Sequence, residues 1–70
     1  MSKLRLNVRE RQVLGLIALG LSNKEIGREL GISLSTVKTY IEAIFHKLGV
    51  SSRIMALRRA REEGYGEADG

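Results

Sequence analysis

Apolar residues recur along this chain at spacings of three and four, the period of a helix with one face turned to a core. Each run follows a residue able to cap a helix. Val13, Leu14, Ile17 and Ala18 form a first stripe behind Asn7 and Glu10, which stand three residues apart as in a capping box, and the run ends near Gly20. Ser22 and Glu25 repeat that spacing, with Leu21 and Ile26 placed as a hydrophobic staple, so a second helix begins at Asn23. It reaches only to about Leu30, because Gly31 can take the left-handed conformation that closes a short helix. Ser33 then caps a third helix, stapled by Ile32 and Val37. After Gly49, a C-cap, Ser51 or Ser52 opens a fourth helix through Ile54, Leu57 and Ala60 to about Glu63. The pattern predicts an all-α, compact four-helix domain.

The second and third helices are separated by a turn of about three or four residues, the arrangement of a helix-turn-helix, carried by SNKEIGRELGISLSTVKTYIEAIFHKL at residues 22–48. In that motif the second helix lies in a DNA major groove, its N-terminal residues nearest the base edges. Gly27 costs about 1 kcal/mol relative to Ala inside a helix. A close crossing of two backbones would require it, although glycine is also tolerated in helices without such a reason. The third helix has two faces. Val37, Ile41, Ile44 and Leu48, with Phe45 beside them, make a core stripe, and Ser35, Lys38, Thr39 and Glu42 recur on the other side. A polar stripe alone is ordinarily a solvated face. Its position on the second helix of this motif makes it a candidate base-reading surface.

Charge agrees with a polyanionic partner. The 70 residues carry a net +4, but residues 62–70 hold four acids and no Lys or Arg, so residues 1–61 carry +8. The basic residues are scattered over several helices, which argues against an anionic membrane as the partner. The length allows one domain spanning 1–70, with a core over about 6–63 and an acidic, glycine-rich tail at 64–70. No apolar run approaches the roughly 20 residues needed to span a membrane, and no signal-peptide core is present, so a cytoplasmic location is expected. One His, no Cys and no nucleotide-type glycine loop leave neither an activated nucleophile nor a phosphate cradle. No catalysis, metal site or cofactor is therefore expected.

Several blocks together carry a resemblance: R-E-x-x-V-L at residues 9–14, G-L-S-N-K-E-I at 20–26, T-V-K at 36–38 and K-L-G-V-S-S-R at 47–53. Over about residues 6–64 the chain resembles the DNA-binding domain of the LuxR/GerE family of bacterial transcription regulators. Its ending, S-S-R, A-L, R-A-R-E and G-Y-G, is most similar to the C-terminal domains of large, MalT-like, ATP-binding members. The resemblance implies a four-helix domain with Ser33–Leu48 as recognition helix and a fourth helix that contributes to dimerisation. It puts Lys38 and Thr39 at base contacts, and Lys24, Ser35 and Thr36 at phosphate contacts. Glu42 departs from the basic or neutral polar residue common at its position, and Ile54 and Met55 replace residues that are usually polar.

Combining the stripe with the resemblance, Lys38, Thr39, Glu42 and Ser35 are the candidate base contacts. Lys24, Ser33, Thr36, Lys47 and Arg53 are the candidate phosphate contacts. Ile54, Met55, Leu57, Arg58 and Arg61 form the candidate dimerisation face. Arg53, Arg58, Arg59 and Arg61 could each neutralise phosphate, bridge to a second subunit or simply maintain solubility. Tyr40 reads as a packing residue, and His46 as a helix C-terminal cation without metal partners. The sequence thus implies duplex DNA as the partner, bound by a homodimer on inverted half-sites, with the protein in the bacterial cytoplasm and on the nucleoid when bound. A second reading is a protein-interaction module whose fourth helix docks on RNA polymerase or a related regulator.

Overall fold

The computed structural model describes residues 6–63. Among them four helices follow one another without a strand: α1 (Val8–Ala18), α2 (Asn23–Leu30), α3 (Leu34–Leu48) and α4 (Arg53–Glu62). The expected all-α, four-helix fold is the one found. The predicted acidic tail at 64–70 lies outside the described residues.

Every helix starts on a side-chain cap. Asn7 and Glu10 form a complete capping box: the Glu10 amide donates to Asn7 Oδ1 at 2.8 Å, and the Asn7 amide donates to Glu10 Oε1 at 3.0 Å. Ser22 and Glu25 do the same at 3.1 and 2.8 Å. Ser33 accepts from the Thr36 amide, and Ser52, rather than Ser51, accepts from the Met55 amide. Each bond satisfies an N–H that the first turn of a helix leaves without a partner.

The predicted stripes of α1 and α3 form the core, whereas in α4 the small Ala56 and Ala60 are buried and Ile54, part of the predicted apolar run, is turned to solvent. Val13, Leu14 and Ile17 of α1 meet Ile26 of α2, Val37, Ile41, Ile44 and Leu48 of α3, and Ala56 and Ala60 of α4. Helix α1 is the hub, packing on both α3 and α4, while α2 packs mainly on α3. Among the described residues, α2 and α4 do not pack against each other.

The crossing of α2 and α3 leaves no room for a side chain at Gly27. A Cβ built there would lie 2.8 Å from the Ile32 carbonyl oxygen and 3.3 Å from Val37 Cγ2. Of the two readings of this glycine, the close approach is the one realised. The turn itself closes on Gly31, at φ +69°, with the Ile32 amide donating to the Gly27 carbonyl at 2.9 Å. Gly27→Ala gains helix propensity but forces a backbone carbonyl away. Its expected effect is a loss of about 1–3 kcal/mol, the usual cost of overpacking. Urea titration of both proteins checks this, and an unchanged or higher midpoint for Gly27→Ala would contradict it.

Candidate nucleic-acid interface

The interface is built outward from the turn. Residues 31–33 redirect the chain so that α3 leaves α2 with its apolar stripe against the core, and the opposite stripe is thereby turned to solvent. Ser33, Ser35, Thr36, Lys38, Thr39 and Glu42 are all exposed, and so is Lys24 in the first turn of α2. The hydroxyls are partly organised by the helix: Thr39 Oγ1 donates to the Ser35 carbonyl at 3.2 Å, and Ser33 Oγ lies 2.9 Å from Thr36 Oγ1. Glu42 forms no ion pair with His46 or a lysine among the described residues. Tyr40 is half-buried and packs against the core, whereas His46 is exposed in the last turn of α3.

Two of the candidate phosphate contacts stand apart from that surface because they are engaged within the protein. Lys47 Nζ donates to Glu10 Oε1 at 2.8 Å, tying the end of α3 to the start of α1. The half-buried Arg53 donates through Nη1 to Asn23 Oδ1 at 2.6 Å and through Nη2 to the Leu21 carbonyl. It therefore links α4 to the start of α2, two elements that otherwise do not meet. Neither tie was legible from local pattern, since the partners are 37 and 30 residues apart.

The face assigned to dimerisation is apolar at its centre and basic at its edge. Ile54 is 73% exposed and Met55 48%, Leu57 is half-buried, and Arg58 and Arg61 are open to solvent. A shallow groove beside it is lined by Ile17, Gly20, Leu21, Arg53, Ile54 and Leu57. No helix is long and apolar enough to cross a membrane among the described residues.

A short helix, a glycine turn and a longer helix that offers a polar stripe to solvent define a helix-turn-helix domain. The chain matches the family model "GerE: Bacterial regulatory proteins, luxR family" over residues 4–60, and it belongs to that family. It is 47% identical over 57 residues to "Transcriptional regulatory protein DesR" of Bacillus subtilis (strain 168), a match covering 81% of this chain and 29% of that protein. It is also 47% identical over 51 residues to "Putative HTH-type transcriptional regulator YhjB" of Escherichia coli (strain K12), covering 73% of this chain and 26% of that protein. The chain thus spans less than a third of the length of these curated relatives. Neither relative's name bears on the finer likeness to large ATP-binding regulators, and the G-Y-G that carries part of that likeness lies outside the described residues.

The Glu10 tie makes stability depend on pH. Glu10 is 5% exposed, and burial alone raises its pKa. The hydrogen bond from Lys47, the Asn7 amide and the Lys47 charge outweigh burial and hold the carboxyl below its ordinary value. A carboxyl depressed in the folded state binds fewer protons there than in the unfolded chain, so stability rises with pH. Its contribution is complete above the ordinary glutamate pKa of about 4.3 and is lost as pH falls through the lower, folded value. Urea midpoints followed from neutral into acid should therefore drop more steeply for the wild type than for Glu10→Gln. Parallel curves would show that the pair adds nothing. Lys47→Met, which leaves the buried carboxylate without its cation, should cost about 1–3 kcal/mol at neutral pH.

Proposed function

We propose that this domain binds specific duplex DNA as part of a bacterial transcription regulator, with α3 in the major groove. The observation that carries the proposal is the division of α3. One side supplies four buried core residues, whereas Ser35, Lys38, Thr39 and Glu42 are held in the open on a rigid helix. In this reading those four contact base edges, while Lys24, Ser33 and Thr36 hold phosphates. Lys47 and Arg53 already donate to partners within the protein, so their substitution is expected to act on stability as well as on any phosphate contact. The location that follows is the cytoplasm, on the nucleoid when bound.

The exposed Ile54 and Met55, with Leu57, Arg58 and Arg61, serve as a two-fold contact that pairs two domains on inverted half-sites about one helical turn apart. The same apolar face favours one competing reading, docking on RNA polymerase or on a related regulator. Ile54→Asp distinguishes them. It should weaken binding to paired half-sites and spare a single half-site, whereas a domain that docks on a protein would show no salt-dependent duplex binding at all.

The affinity for duplex should fall with salt at a log–log slope of about −0.9 per phosphate neutralised. A slope near zero would refute the DNA reading. Within that binding, Lys24→Ala should weaken all sequences alike. Lys38→Ala should cost about 1–3 kcal/mol on the preferred site and less on random DNA. Glu42 repels phosphates, and its use is to accept from the N4 amino group of a cytosine. Glu42→Ala should therefore tighten binding to random DNA while losing discrimination at one position per half-site. Uniformly tighter binding with unchanged base preference would remove Glu42 from the reading set.

A further inference from the structure

The large apolar residues among the described ones that are exposed are Val8, Leu19, Leu34, Ile54 and Met55, and Leu34 is the one that lies within the helix-turn-helix. It is 43% exposed. Its apolar neighbours along the chain, Leu30 and Ile32 before it and Tyr40 and Phe45 after it, are partly buried against the core, whereas Leu34 is exposed. Leu34 is the first residue of α3, directly after the Ser33 cap. The cap uses the Ser33 hydroxyl and the Thr36 amide, so the Leu34 side chain has no part in it.

From these observations, and resting on the DNA reading above, we propose that Leu34 reads the 5-methyl group of a thymine. The first turn of a recognition helix is the part nearest the base edges. A branched hydrocarbon there can make no hydrogen bond to a base, and the apolar mark that the major groove displays is the thymine methyl. The setting fits a groove rather than a protein partner, because the exposed residues near Leu34 in sequence, Ser33, Ser35, Thr36 and Lys38, carry hydroxyls and a cation. An apolar docking patch is not formed by one leucine among them. Lys38 lies four residues on, which places the two side chains about 5–6 Å apart at Cβ on the helix surface. The thymine should therefore lie within about two base pairs of the base that Lys38 contacts, given the rise of about 3.4 Å per base pair.

The test uses duplexes selected from a random pool by the 70-residue chain, with each thymine of the selected site replaced in turn by uracil, which lacks only the methyl. At one thymine per half-site the replacement should weaken wild-type binding about four-fold, the worth of one buried methyl group. Leu34→Ala should bind the thymine and uracil duplexes alike at that position, with its salt slope and thermal unfolding unchanged. Salt-dependent wild-type binding with no thymine–uracil difference anywhere would overturn the role of Leu34 alone. A difference that survives in Leu34→Ala would overturn it too, by assigning the methyl to another residue. Wild-type binding insensitive to salt would bring down the DNA reading and this inference together.

Discussion

The 2.8 Å between a hypothetical Cβ on Gly27 and the Ile32 carbonyl fixes how near α2 comes to α3, and the direction of α3 follows from it. Only a residue without a side chain lets the two backbones cross at that distance. With the crossing set, Val37 and Ile41 reach the core and Ser35, Lys38, Thr39 and Glu42 are presented on a single outward face. The propensity cost of about 1 kcal/mol for glycine within a helix is small against the displacement that any Cβ would impose. The turn at Gly31 closes on the same glycine's carbonyl, so two adjacent constraints, one steric and one hydrogen-bonded, hold the same corner.

Charge has two separate uses in this molecule. Lys47 and Arg53 work as fasteners, one tying the end of α3 to the start of α1, the other tying α4 to the start of α2. Both cations are thus held in fixed positions within the fold, whatever else they meet. Surface pairs are worth little on average. The Glu10 pair differs because its carboxylate is buried and already committed to capping α1, so losing the cation would leave a charge with a desolvation cost and fewer bonds to offset it.

What could be read from sequence was what is decided within a few residues. The caps at Asn7, Ser22 and Ser33, the ends at Leu30 and Leu48, and the two faces of α3 all follow from local spacing, and the structure places them there. The fourth helix left Ser51 and Ser52 as alternatives because both are good caps, and the geometry selects Ser52. The Glu10–Lys47 and Arg53–Asn23 ties depend on which helices cross, information that no local window contains. Leu34 is not decided by local pattern for a different reason: a single apolar residue beside a cap is compatible with the core or with solvent, and only the packing of α3 leaves it exposed.

Because the start of each helix is specified by a hydrogen bond spanning three residues, each segment can begin to form before its neighbours are in place. The last turns of α1, α2 and α3 are closed in the same local way, by amides that return to carbonyls four or five residues behind. Loop closure, which slows proteins built on distant pairings, is a small part of such a search. Contacts between residues close in sequence outnumber distant ones in this domain, the pattern of helical chains that fold in microseconds to milliseconds and so expose their core only briefly while they are being made.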